Sequence, residues 1–593
     1  MHTYTAPLRD MRFVLHELHD SAALTQPTQI TPELADSILE GAAKFIHSVL
    51  LPLNASGDAE GCHYENGAVR TPKGFKEAYK AFTAGGWGAL NADRAYGGQG
   101  LPASLGMLVE EMICGSNLSF GLYPGLSHGA YLALKSHGSE ALKALYLPKL
   151  VDGSWAGTMC LTEAHCGTDL GLLRTKAAPQ ADGSFQLSGS KIFISAGEHD
   201  LTENIIHLVL ARLPDAPAGV AGVSLFVVPK FLPNADGTIG MRNGVACGGI
   251  EHKLGIKASA TCQINFDAAT AWLVGEPHKG MRAMFVMMNS ERLSVGIQGL
   301  GVGEAAYQSA TAYARERLQG RSLAGAQRPD KSADPIIVHP DVRRMLMTMR
   351  AYNEGCRALG VWVANALDRM EHSTDSAEGE AAADFVALLT PVVKALFTDL
   401  GFESTNLALQ VHGGHGYIVE NGMEQLLRDA RIPMIYEGTN GVQALDLVGR
   451  KLPANMGRSL RRFFDPVAKF IEAHEREPQI GPLVQVFAKS FGALRVATAL
   501  VIQTGSVDPE EAGAAATDYL RMFGLVALGF MWVRMAKVAV DAVPGTEQDA
   551  AFYRAKRATA TFYIQRILPQ AGALLHAIEA GKASITALEE AAF

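Results

Sequence analysis

Apolar residues recur at three- and four-residue spacing over the first quarter of the chain, a pattern that predicts helices. It is visible in LADSILEGAAKFIHSVL (residues 34–50), LGMLVEEMIC (105–114) and SEALKALYLPKLV (139–151). Gly-rich breaks such as AYGGQGLP (95–102) separate these runs. Near Trp155 the period shortens. FQLSGSKIFIS (185–195), NIIHLVLARL (204–213) and GVSLFVVPKF (222–231) are short and rich in β-branched and aromatic residues. Turn formers such as Asp182-Gly183 bound them, which predicts strands as far as about Val274. Helical spacing returns at Gly280. Residues 281–319 read as one long helix, two or three more precede Gly413, and a further helical block follows Asn455. The run MFGLVALGFMWV (522–533) is shorter than the ~20 residues a membrane span needs and predicts a buried helix instead. The order is helices, a β-unit, helices, and helices again.

Composition changes this picture little. At 593 residues the chain is long enough for several cores, and 48% hydrophobic with 19% charged residues is ordinary for a globular protein. A net charge of −8 argues against nucleic acid or an anionic membrane as partner, because both require a positive field. The seven cysteines are odd in number and scattered, without a CxxC pair. That favours a reducing, cytoplasmic setting over a disulfide framework or a zinc module. The N-terminus shows no long apolar core of a secretory signal.

Six motifs carry candidate chemistry. MCLTEAHCGTDLG (159–171) has small and hydroxyl residues, which let backbone N–H groups approach a ligand closely. KIFISAGEHD begins at Lys191, and NSERLSVGIQGLG (289–301) carries Glu291 and Arg292, whose fork of N–H donors suits phosphate. ARERLQGRSL (314–323) and LQVHGGHGY (409–417) follow. In RIPMIYEGTNGVQALDL (431–447), Glu437 stands between an apolar run and a Gly-Thr turn, either as a cap for the helix that follows or as a base. His412 and His415 do not read as a metal pair, since glycines interrupt the helix and no third ligand is evident, so no metal is expected.

Taken in order and texture, these motifs resemble the acyl-CoA dehydrogenase flavoprotein family over roughly residues 38–453. The resemblance implies a mainly α fold with a central β-barrel-like domain. It divides the chain into an N-terminal extension (1–37), a helical domain (38–157), a middle β-domain (158–279), a helical bundle with the catalytic base (280–454) and a C-terminal helical extension (455–593). It implies FAD as cofactor, bound by Met159, Leu161, Thr162, Gly167, Thr168, Phe193, Ile194 and Ser195. Arg317, Gln319, Gln410, Gly413 and Gly414 would reach the FAD of a partner subunit in a homodimer, and Thr439 would approach FAD as well. Thr168, Glu291, Arg292, Tyr436 and Gly438 would face the acyl-CoA.

In the same resemblance Glu437 is the base that takes the substrate α-proton. Some relatives place their catalytic acid at the position of Glu291, and this chain has acids at both. Three departures stand out: Ala164-His165-Cys166 in the flavin loop, Phe193 for the commoner Trp, and Gly441 where a Gln is frequent. The N-terminal segment and the block after Asn455 resemble a long bacterial branch of the family. Its members act on 3-methylmercaptopropionyl-CoA or fatty acyl-CoA thioesters and pass electrons to an electron-transfer flavoprotein. An acyl-CoA oxidase and a DNA-associated alkylation-response flavoprotein are the alternatives. Lys/Arg and Asp/Glu are about balanced after Asn455, which weighs against the second.

Overall fold

The computed structural model describes residues 3–19, 30–234 and 236–593. Residues 1–2 and 20–29 of the expected N-terminal extension lie outside the described residues. The chain forms two compact units. One comprises Lys44–Leu101 and Ser116–Ser294; the other comprises the chain up to Ala43, Pro102–Gly115 and Val295–Phe593. The helical stretch Ala103–His137, broken at Asn117, and the long helix Gly280–Glu316 supply residues to both.

The first unit is built on strands. A short hairpin, β1 (His63–Glu65) and β2 (Ala68–Arg70), turns at Asn66-Gly67, both at positive φ. An Asn-Gly pair suits this turn because both central residues must be left-handed. The main sheet contains β3 (Trp155–Cys160), β4 (Lys176–Pro179), β5 (Phe185–Ser195), β6 (Asn204–Arg212) and β7 (Val223–Pro229). A second hairpin joins β8 (Phe231–Pro233) to β9 (Ile239–Arg242). The main sheet then continues with β10 (Val245–Ile250) and β11 (Thr261–Val274).

Its order is β10-β11-β5-β4-β6-β3, and β7 pairs with both β11 and β6. The pairings β11-β5-β4-β6-β7-β11 therefore close a ring, the barrel-like arrangement expected. Its strands begin at Trp155 and end at Val274, where the sequence pattern places them. Leu187, Ile194, Val209, Phe226, Ile264 and Phe266 share its apolar core. Strand β6 is buried at nearly every residue, and its near-continuous apolar sequence fits that two-sided burial.

The second unit is helical. A single helix, Gly280–Glu316, ends three residues short of the expected Gln319, and Pro340–His372 and Ser376–His412 follow. The apolar run 522–533 lies inside the buried helix Pro509–Asp541, where Trp532 donates its indole N–H to the Ala351 carbonyl at 3.0 Å. Trp362 meets Phe385 and Phe530 at ring separations of 4.6 and 5.5 Å, and Phe463 meets Phe523 at 4.9 Å. Among the described residues, three helices are long and apolar enough to cross a membrane; the most apolar stretches of 376–417 and 509–541 are largely buried within the protein, whereas that of Gly481–Val507 is only 33% buried.

A charged hub lies in the same unit. Arg357, 1% exposed, pairs with Glu111, Glu304 and Asp10. Lys556, fully buried, pairs with Asp10 and Glu354. Burial pushes the Glu111 carboxyl up to about 7 despite Arg357 beside it. The hub joins residues from the N-terminal segment and the C-terminal block to the helices between them.

Candidate functional site

In the β-centred unit, strand β3 delivers Met159 and runs into the loop that continues with Leu161 and Thr162. The unusual Ala164-His165 pair is enclosed by a tight turn: Glu163 N–H donates to the Cys166 carbonyl at 2.8 Å, and Cys166 N–H returns to the Glu163 carbonyl at 3.0 Å. Ile192 N–H donates to the Thr162 carbonyl at 2.9 Å, which brings the first two motifs together.

A buried ion pair locks that junction. Lys191, fully buried on β5, donates to Glu163 at 2.8 Å and to the Leu161 carbonyl at 2.9 Å. Glu163 also accepts from Arg174 N–H at 2.8 Å, Thr175 N–H at 3.0 Å and the Thr175 hydroxyl at 2.6 Å. Burial favours its neutral form, but the Lys191 charge and these donors outweigh it and hold the carboxyl down at about 2. Glu163, His165 and Cys166 place one donor atom each within 4.8 Å of one another. The Glu163 oxygens are already taken by Lys191, Thr175 and backbone N–H groups, so this cluster is a latch and not a metal centre.

Phe193 stands at φ 59° and is 58% exposed, and Ala196 stands at φ 52°. Left-handed backbone costs a non-glycine residue roughly 1–2 kcal/mol, and such residues gather at functional sites. Ile194 points into the barrel core, so it offers a flavin its backbone only. Gly167 and Thr168 are exposed on the loop. Glu291 and Arg292 are buried on the helix Gly280–Glu316. A Cβ on Gly129 would come within 2.5 Å of Glu291 Oε1, so the glycine makes room for this second acid.

In the helical unit, Arg317, Gln319, Gly413 and Gly414 line one open cleft of about 420 Å³. The helix Ser376–His412 stops at Gly413, whose φ of 59° glycine accepts freely. Gln410 is exposed, and its carbonyl accepts from Gly413 N–H. Tyr313, which the sequence reading did not single out, stacks on His412 at 4.4 Å and holds His415 Nδ1 at 2.7 Å. The two histidines are thus tied to a tyrosine. An arginine fork, exposed glycine backbone and an aromatic wall are what the pyrophosphate and adenine of FAD require, so these residues fit the cofactor.

The Glu437 turn is also in this unit. Glu437 adopts φ 57° and Gly438 φ 80°. The helix Asn440–Asp446 is capped by Thr439, whose hydroxyl accepts from Val442 N–H, so the cap position belongs to Thr439 and not to Glu437. Tyr436 donates its hydroxyl to Gln298.

Four family models match in succession: the acyl-CoA dehydrogenase N-terminal domain over residues 33–154, the middle domain over 158–269, the C-terminal domain over 278–452, and an acetyl-CoA dehydrogenase C-terminal-like model over 463–589. The chain is 44% identical over 579 residues to 3-methylmercaptopropionyl-CoA dehydrogenase of Ruegeria pomeroyi, covering 96% of this chain and 97% of that one. It is 33% identical to a butyryl-CoA dehydrogenase of Syntrophomonas wolfei, covering 100% and 99%. In fold it is similar to the Caenorhabditis elegans protein ACDH-11 crystallised with C11-CoA, at a TM-score of 0.77 and 19% identity over 95% and 91% of the two chains. The chain belongs to the acyl-CoA dehydrogenase family, as an FAD-dependent oxidoreductase acting on CH–CH bonds.

Proposed function

We propose that the chain dehydrogenates 3-methylmercaptopropionyl-CoA, or failing that a fatty acyl-CoA, to the trans-2-enoyl thioester, with Glu437 as the base. The observation that carries this reading is the Glu437 turn itself: a carboxylate on left-handed backbone, followed by glycine, with Thr439 and not Glu437 at the helix cap. Identity across nearly the full length of the Ruegeria protein supports the choice of substrate over the more distant butyryl-CoA enzyme. The oxidase and DNA-associated alternatives gain no supporting observation.

The roles divide as follows. Glu437 takes the α-proton, and its own N–H polarises the thioester carbonyl, which lowers the cost of the charge that develops there. Tyr436 and Gly438 border the acyl chain, and Arg292 and Thr168 serve the coenzyme A arm. Met159, Leu161, Thr162, Gly167, Ser195 and the backbone of Phe193 and Ile194 hold the flavin end, with Thr439 nearby. Bound FAD supplies the acceptor for the hydride that leaves the β-carbon. Arg317, Gln319, Gln410, Gly413 and Gly414 receive the pyrophosphate half of a second copy's FAD, making the enzyme a homodimer. It works in the cytoplasm and passes electrons to an electron-transfer flavoprotein.

Bleaching of the flavin by a panel of acyl-CoA thioesters tests the substrate, with 3-methylmercaptopropionyl-CoA expected to bleach fastest. Glu437→Gln is expected to lose about 10²–10⁴-fold in turnover, the usual contribution of a general base, with FAD retained. A dead Glu291→Gln beside an active Glu437→Gln reverses the assignment.

A further inference from the structure

The left-handed pair Glu437-Gly438 presents two carbonyls that the following helix cannot satisfy, because that helix begins only at Asn440. Gln443, one turn into the helix and fully buried, supplies the missing donors. Its Nε2 donates to the Glu437 carbonyl at 3.1 Å and to the Gly438 carbonyl at 3.3 Å. The carboxamide has only one workable orientation. Flipping it would set Oε1 against two carbonyl oxygens, an acceptor facing acceptors. Oε1 itself has no partner among the described residues, so the donor end alone fixes this side chain.

A second clamp starts at Asn440. Its Oδ1 accepts from Lys394 at 2.9 Å, and its Nδ2 donates to Asp399 at 2.6 Å, Thr398 Oγ1 at 3.0 Å and the Ala395 carbonyl at 3.2 Å. Lys394 is fully buried in the helix Ser376–His412. The turn is thereby fastened to a long, rigid helix at one end and closed over its own carbonyls at the other.

We infer that Gln443 is a positioning residue for the dehydrogenation: by bridging the Glu437 and Gly438 carbonyls it holds the left-handed backbone that aims both the Glu437 carboxylate and the Glu437 N–H, and Asn440 anchors the turn it closes. This rests on the reading of Glu437 as the base. The role is geometric, since Gln443 neither gains nor loses a proton. Small displacements of a base from its target are costly, so removing the bridge lowers the rate of proton removal while leaving distant contacts to the coenzyme and cofactor in place.

The test isolates proton removal. 3,3-Dimethylbutanoyl-CoA has α-hydrogens but no β-hydrogen, so it cannot be dehydrogenated. Its α-protons wash out into deuterated water only through the base, and NMR follows the loss. In Gln443→Met, which keeps length and loses the donors, exchange by the FAD-loaded protein is expected to fall about 10–100-fold, the scale of a misplaced reactive group. Affinity for the thioester and FAD content are expected to change by no more than about twofold, because most residues assigned to the coenzyme A arm and the flavin lie on other segments of the chain. Gln443→Glu regains a donor only when its carboxyl is protonated, so its exchange relative to wild type is expected to rise as pH falls. A purely structural role would not produce that rise.

Exchange at the wild-type rate in Gln443→Met, with Glu437→Gln inactive, overturns this inference alone. Exchange that survives Glu437→Gln overturns the base assignment and this inference with it. If Gln443→Met does not fold, Asn440→Ser probes the same turn from its other clamp: a several-fold loss supports the inference, and an unchanged rate overturns it.

Discussion

At Phe193 the backbone is left-handed at φ 59°, two residues past a buried lysine paired with a carboxylate; at Glu437 it is left-handed at φ 57°, beneath two neutral amides. Both positions put a large side chain on backbone that disfavours any residue but glycine. What holds the two differs. The flavin loop is latched by Lys191 and Glu163, whose charges are worth a great deal only while both are present. The Glu437 turn is held mainly by Gln443 and Asn440, neutral groups that lose one hydrogen bond at a time. A charged latch fails abruptly, whereas an amide clamp fails gradually; Gln443 has no proton to gain or lose, while Asn440 is held by the ionisable groups Lys394 and Asp399. The neutral clamp stands beside Glu437, the residue proposed as the base.

The largest effect should come from breaking the latch on one side. Lys191→Met leaves Glu163 buried without its cation, and about 3–5 kcal/mol of stability is expected to be lost, read by denaturant unfolding, together with FAD content. Next, removing both partners should cost much less than removing one. Glu163→Gln with Lys191→Met is expected to recover more than half of the single-variant loss, since no buried charge then lacks a partner. If the double variant is as unstable as the single one, the latch is valued for shape and not for charge, and the contrast with the amide clamp collapses.

The acid response is smaller. The Glu163 carboxyl is held at about 2 against an ordinary 4.5, so its contribution is complete above about pH 4.5 and is lost as pH falls towards 2. Unfolding measured at stepped pH should show that loss in the wild type and a shallower fall in Glu163→Gln. Superimposable curves would show that the depression does not govern stability. The smallest effect is expected at Phe193 itself: Phe193→Gly relieves left-handed strain and should stabilise the protein by about 1 kcal/mol while weakening FAD retention.

Much of this architecture is legible in the chain because it is periodic. The main sheet begins at Trp155 and ends at Val274 in both pattern and fold, and residues 281–316 keep helical spacing throughout. The motif residues are legible as chemistry, and Arg317, Gln319, Gly413 and Gly414 do line one cleft. Gln443 is not legible in this way. A side chain that reaches back over a turn leaves no period, and it lies four residues past Thr439, not at position 441, where a glutamine is anticipated. The hairpin at Asn66-Gly67 is hidden for another reason: strands of three residues are too short to alternate, although the Asn-Gly pair is a strong turn signal. The Tyr313–His415 contact joins residues 102 apart, a pairing that spacing along one helix cannot suggest.

The charged hub around Arg357 has a consequence for how the chain is made. Asp10 emerges early in synthesis, and Lys556, its ammonium partner, is 546 residues behind it. At about 5–20 residues per second, the aspartate waits roughly half a minute to two minutes for that partner. Until then the N-terminal segment carries a carboxylate destined for a buried site whose cations are incomplete. Closure of the helical unit is therefore a late event, timed by the C-terminal block, and the barrel strands, all synthesised before residue 275, are free to fold first.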